Sequence, residues 1–142
     1  MNLRKLSFQR LTYVGIRDID DFEGQTINEN NIRVLDVPNV IDYIRDLTGP
    51  IHISFDVDAL DPELVDSTGT RVPDGLEPEE VREIIKTALE TDKLVSLDVV
   101  EFNKDLGDPM NSLLAVQRVF EPDSLTDTDS DGARTQSMDS RQ

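Results

Sequence analysis

Ser54-Phe55-Asp56-Val57-Asp58-Ala59-Leu60-Asp61-Pro62 ends an apolar run with two carboxylates two residues apart. Read as a β-strand, residues i and i+2 point to one side, so Asp56 and Asp58 converge. Adjacent anions repel unless a cation lies between them. An all-oxygen donor pair favours magnesium, calcium or manganese over softer ions. Asp61, just before Pro62, reads as a turn residue rather than a ligand. His52 is the only histidine. At ~3.3 Å per residue it lies ~13 Å from Asp56 along the strand, too far to be a co-ligand.

Strands and helices must position these acids. Leu11–Ile16 reads as a short β-branched strand running into the polar segment Arg17-Asp18-Ile19-Asp20-Asp21. Asn28–Asn31 reads as a loop and Ile32–Val37 as an extended piece. Pro38 suits a first helical turn, and Val40, Ile41, Ile44 and Leu47 give helical spacing through 39–47. Gly49-Pro50 stops that helix. Ile51, Ile53, Phe55 and Val57 alternate with His52, Ser54, Asp56 and Asp58, the period of a strand. Ser67–Gly75 is a loop. Glu77-Pro78-Glu79-Glu80 opens a helix striped by Val81, Ile84, Ile85, Ala88 and Leu89. Leu94–Phe102 reads as another strand, with Glu101 on the face of Val95, Leu97 and Val99 and Asp98 on the other. Met110–Phe120 closes with a helix.

Alternating strands and helices predict an α/β fold, a mostly parallel sheet with helices on both faces. Such folds place sites beyond the carboxyl ends of strands. Asp18, Asp20, Asp56, Asp58 and Glu101 all fall at those ends. The expected organisation is a domain over 1–120 and an acidic, disordered tail over 121–142. In that tail Asp127-x-Asp129-x-Asp131-Gly132 copies the start of a calcium-binding loop. The twelfth position, which needs a Glu, is Met138, so the segment reads as a solvated tail.

Composition narrows the function classes. The net charge is −16. Six acids and two arginines from Glu121 onward make −4 of it, so −12 falls on residues 1–120. No basic stripe meets phosphates, which excludes generic nucleic-acid binding. No apolar run reaches membrane-spanning length. With no cysteine, disulfides, Cys-ligated zinc and thiol chemistry are excluded. The expectation is a soluble, cytoplasmic protein.

SFDVDALDP with STGTRVPDGL at Ser67–Leu76 closely resembles the signature of the arginases, within the ureohydrolase superfamily. YVGIRDID at Tyr13–Asp20 and SLDVVEFN at Ser96–Asn103 resemble two further arginase segments in the same order. Ser-Phe-Asp-Val-Asp looks more like arginase than agmatinase. The resemblance implies an arginase-like three-layer fold and hydrolysis of L-arginine to L-ornithine and urea with two Mn(2+) ions. It implies Asp56 and Asp58 as manganese ligands, and Glu101 as the acid pairing with the substrate guanidinium. Thr70 matches a hydroxyl near that group, and Asp20 with Glu23 match acids reading the α-ammonium.

The family's other ligands lie in Gly-Gly-Asp-His and Asp-x-His-x-Asp segments that this sequence does not contain. The resemblance therefore implies a carboxyl-terminal half, with the amino-terminal half outside these 142 residues. It implies no catalytic residue of its own, weak metal binding at most, and an inactive isolated chain. Alternatives are a non-catalytic, pseudoenzyme-like partner, or another ureohydrolase such as agmatinase. The expected partners are a guanidino substrate and a second copy or a full-length subunit. Asp74-Gly75 stands where the family has Gly-Gly, and Glu79-Glu80 where some arginases carry a trimer-interface Arg.

Overall fold

The computed structural model describes residues 5–122. Among these residues four short parallel strands, in two hydrogen-bonded pairs, alternate with four α-helices. β1 (Thr12–Val14) is followed by α1 (Asp21–Glu29), β2 (Arg33–Leu35) and α2 (Val37–Asp46). β3 (Ile51–Asp56), α3 (Pro78–Glu90), β4 (Leu94–Val100) and α4 (Pro109–Val119) complete the order. β1 pairs with β2 in register Tyr13↔Val34. β3 pairs with β4 in register Phe55↔Val99, with a shift between Ile51 and His52.

Local chemistry explains the helices. Asp36 caps α2 by accepting the Asn39 N–H at 3.0 Å, and Pro38 sits in the first turn, where its missing N–H costs nothing. Val40, Ile41 and Ile44 then bury one stripe. Glu80 returns its carboxylate to the Glu77 N–H at 2.9 Å, opening α3, and Asp108 caps α4 through the Asn111 N–H.

Sidedness follows from β1. Val14 packs with α2's Val40 and Ile44. Tyr13 lines a cleft with α1's Phe22, Glu23 and Ile27. Neighbouring strand residues face opposite ways, so α1 and α2 lie on opposite faces. A second core joins Phe55, Val57 and Leu60 to Val81 and Ile85 of α3 and Ala115, Val116 and Val119 of α4. Each of Val57, Leu60 and Val65, at 1% exposure or less, stabilises the fold by about 1.5–3 kcal/mol relative to an exposed position. No helix among the described residues is long and apolar enough to cross a membrane.

Four sequence expectations need correction. β3 stops at Asp56, and Val57–Ala59 is a 3-10 turn, so Asp58 is not on the strand face. β4 stops at Val100; Glu101 has φ +64° and is exposed, so strand alternation does not bury it beside Val95, Leu97 and Val99. α1 starts at Asp21, the last residue of the polar segment read at 17–21, crosses 22–27, for which no element was expected, and takes in Asn28 and Glu29, read as the start of a loop. The remaining helix and strand bounds differ by one to two residues, as ends do. Of the expected tail only 121 and 122 are described; the calcium-loop look-alike lies outside the described residues.

Candidate active site

The carboxyl end of β3 turns sharply. Asp56 caps the 3-10 turn, its Oδ1 accepting the Asp58 N–H at 3.0 Å. That bond, rather than strand periodicity, brings the two acids together. Asp58 is half-buried, and its pKa rises from 3.8 to about 6. Burial is the largest cause, followed by the charge of Asp56, a hydrogen bond with Asp56, and the more distant charge of Glu101; Arg17 opposes them. Asp56, Asp58 and Glu101 are thus three acids in one electrostatic neighbourhood at the carboxyl ends of β3 and β4. Glu101 reaches it from a left-handed backbone conformation that non-glycine residues seldom adopt. Strain of this kind gathers at functional sites.

Arg17, which motif reading passed over, organises the neighbourhood. Leaving β1, its guanidinium donates to the carbonyls of Gly15, Ala59 and Asp58 at 3.1, 3.0 and 2.8 Å. It also donates twice to the Val72 carbonyl, at 3.3 and 2.9 Å. One cation therefore ties the exit of β1 to the acid turn and to the loop carrying Thr70. The planar fork suits an arginine and not a lysine. The available signal was positional: a lone cation at a strand exit, surrounded by acids.

Thr70 is exposed on that pinned loop. Thr68, two residues before it, is 2% exposed, and its hydroxyl has no hydrogen-bond partner among the described residues. The loop is tied down behind the site. Ser112 Oγ accepts the N–H groups of Asp66 and Ser67 and donates to Asp66 Oδ1, each at 3.2 Å. Ser67 Oγ donates to the Leu106 carbonyl at 2.7 Å. Asp66 also accepts the Asp108 N–H, the chief reason its pKa is lowered. Asp61 is a turn residue: it accepts the N–H groups of Glu63 and Gly75, which hold its carboxyl below the usual range. Gly75 leaves no room for a side chain, since a Cβ there would lie 2.3 Å from the Asp61 nitrogen. Asp74 takes φ +63°, which explains why glycine suits that position in the motif it resembles.

Asp20 and Glu23 occupy each other. Asp20 Oδ1 accepts the Glu23 N–H at 2.7 Å and Glu23 Oε2 accepts the Asp20 N–H at 3.1 Å, a capping box at the start of α1. Both remain exposed, so each has free lone pairs for a cation. His52 lies apart, paired with Ser96 Oγ at 2.7 Å and facing Asp98 at 3.6 Å.

Among the described residues no group of three or more His, Cys, Asp or Glu side chains is arranged to hold a metal ion. Two adjacent carboxylates suit one hydrated divalent cation. They do not complete a manganese pair, which needs ligands on both ions. Two surface clefts of about 410 and 220 Å³ lie at Asp61–Asp74 and beside α1; neither is lined by Asp56, Asp58 or Glu101.

Comparison with known proteins fits this layout. A family model described as the Arginase family matches residues 2–122. The arginase of Glaciozyma antarctica is 42% identical over 112 residues, covering 70% of this chain and 32% of that relative. The crystal structure of Entamoeba histolytica arginase in complex with L-ornithine has a TM-score of 0.66 and 29% identity, covering 81% of this chain and 44% of that one. A hypothetical agmatinase from Burkholderia thailandensis has a TM-score of 0.60 and 26% identity, over 76% and 36% of the two chains. The chain spans about a third of the length of the curated relatives it matches.

Proposed function

This chain belongs to the arginase family, and we propose that it carries part of a manganese-dependent site for hydrolysing L-arginine to L-ornithine and urea. The observation that supports the reading is the placement of Asp56 and Glu101 around Asp58 at the carboxyl ends of β3 and β4, where both charges raise the cost of ionising Asp58. Acids gathered in one place, whose charge Arg17 offsets only in part, call for a further cation. Asp56 and Asp58 would hold a divalent ion. Glu101 would pair with a guanidinium, whose planar donors match a carboxylate in a two-point bond. Thr70 would supply a hydroxyl from the loop pinned by Arg17. Asp20 and Glu23 would present lone pairs to the α-ammonium at the mouth.

The residues described here orient a cationic substrate and a cation. They do not hold the pair of ions that in this family supplies the activated water. The isolated chain is therefore expected to bind manganese weakly and to release no urea. The second reading, a non-catalytic partner, is favoured by exposed apolar side chains such as Val95 and Met110, 68% and 67% exposed, which suit a contact surface. Either reading has the chain working with further arginase-family polypeptide or a full-length subunit, in a cytoplasmic setting.

Manganese titration followed by electron paramagnetic resonance tests the first reading. Weak binding of one ion, lost in Asp56→Asn and Asp58→Asn, supports it. Binding unchanged in both variants removes it. Agmatine hydrolysed in preference to arginine by an active assembly would move the specificity to the agmatinase branch.

A further inference from the structure

Glu101 is a corner held from both sides. Before it, Val100 lies in the β4 ladder opposite Asp56. After it, the Asn103 N–H donates to the Ser67 carbonyl at 2.7 Å. Between those ties Glu101 takes φ +64°, a conformation that persists only where its surroundings over-determine it.

The second tie is one of several. Ser67 Oγ donates to the Leu106 carbonyl at 2.7 Å, and Asp66 Oδ1 accepts the Asp108 N–H at 2.8 Å. Ser112 Oγ bonds the Asp66 and Ser67 N–H groups and Asp66 Oδ1. Asp66 and Ser67 therefore meet Asn103, Leu106, Asp108 and Ser112. Asn103 folds the intervening chain into a turn. Its carbonyl accepts the Leu106 N–H at 3.2 Å, and its side-chain oxygen accepts the Asp105 N–H at 3.0 Å. The approach is so close that a Cβ at Gly107 would overlap the Asp66 carboxylate. Ser67 and Ser112 are fully buried, and both hydroxyls are hydrogen-bonded. A buried polar network whose members are all satisfied rigidifies what it joins.

Here it joins the segments that carry Glu101 and Thr70. Thr70 stands three residues after Ser67 and two before Val72, whose carbonyl Arg17 holds. The Thr70 loop is thus pinned at both ends, to the exit of β1 in front and to the Glu101 segment behind. Side chains that recognise a ligand need such supporting bonds to hold their geometry.

We propose that Asp66, Ser67 and Ser112 form a latch that positions Glu101 relative to Thr70, with Glu101 kept in its left-handed conformation by the bonds to 103–112. All three act through Glu101 and Thr70, as positioning residues. The latch rests on the arginine-hydrolysing reading only for what Glu101 meets, a guanidinium. Asp66 serves it as an acceptor oxygen rather than as a charge, so Asp66→Asn should preserve what Asp66→Ala breaks.

Amide hydrogen exchange and amide NMR shifts on the full chain test the latch, with methylguanidinium as the probe cation and no added metal. In Asp66→Ala and Ser67→Ala, the Asn103 and Leu106 amides are expected to exchange at least ~10-fold faster than in the parent chain, while Val81–Ala88 in α3 stay within about twofold. Neither substitution deletes a bond that those two amides make, so the change reports the latch as a unit. The methylguanidinium concentration that half-shifts the Glu101 amide should rise at least ~5-fold in both variants, and Asp66→Asn should restore both readouts. The latch is overturned if exchange at Asn103 and Leu106 is unchanged, if α3 loosens equally, or if Asp66→Asn is as loose as Asp66→Ala. Should Asp66→Ala not fold, Ser67→Ala, which removes one hydroxyl, decides. Selectively loosened exchange in a chain whose Glu101 ignores methylguanidinium keeps the latch and sinks the guanidinium reading. A methylguanidinium response lost in Glu101→Gln but untouched by both latch variants keeps that reading and sinks the latch.

Discussion

Replacing Asp58 with asparagine should stabilise this protein, and only above a particular pH. The carboxyl rises from 3.8 to about 6 because it is half-buried beside Asp56 and near Glu101. At about 1.4 kcal/mol per pH unit, that rise is worth about 3 kcal/mol undiscounted. Solvent reaches the group and screens it, which reduces the figure to about 1–2 kcal/mol. The sign follows from proton binding. A carboxyl that holds its proton more tightly when folded contributes its full stability below about 3.8 and loses it as pH rises through about 6. Above that the charged carboxylate burdens the fold. Asp58→Asn removes the burden. Urea denaturation in a chelating buffer is expected to show a gain of about 1–2 kcal/mol at pH 8 and almost none at pH 4. Saturating manganese should reverse the order at pH 8, since the carboxylate gains a cation and the amide does not. An equal effect at both pH values, or a loss at pH 8 without metal, would refute the electrostatic reading.

Three further outcomes follow from the same geometry. Arg17→Met should cost about 2–4 kcal/mol by stranding the carbonyls that its guanidinium serves, and Arg17→Lys should recover less than half; thermal melting checks both, and a loss under about 0.5 kcal/mol would show the clamp to be idle. Gly75→Ala should cost about 3 kcal/mol or more, because the added Cβ meets the Asp61 backbone at 2.3 Å; a variant with an unchanged denaturation midpoint would count against the loop geometry. Thr87→Val should stabilise by about 1 kcal/mol, since the Thr87 hydroxyl in α3 is buried without a partner among the described residues, and a destabilised variant would reveal an unseen bond.

Much of the fold was legible because periodicity and punctuation agreed. The stripe Val40, Ile41, Ile44 with Pro38 before it, and Val81, Ile85, Ala88 with Pro78, each specify a helix that the structure contains. α1 was not legible by pattern: it buries no residue and carries Gly24 in its interior. Its signal lay elsewhere, in Asp20 with Glu23 three residues on, which is a capping box. The site was legible as a set of residue types at strand exits, but its geometry was not. Strand alternation was carried two residues too far at Asp58 and one too far at Glu101. A 3-10 turn capped by Asp56 and a left-handed residue place those acids instead, and a period-2 reading carries no signal for either. Arg17 illustrates a different limit, since its partners at Asp58, Ala59 and Val72 are distant in sequence.

Urea release tests most directly the proposal that these acids serve an arginine-hydrolysing site completed by more arginase-family polypeptide, using this chain fused behind the unmatched part of the Glaciozyma antarctica arginase, with manganese and L-arginine. Manganese-dependent release that falls at least ~100-fold in Asp58→Asn is the expected result, a loss of about 2.7 kcal/mol of transition-state stabilisation. A folded, manganese-loaded fusion that releases no urea, or one whose turnover ignores Asp58→Asn, would contradict it.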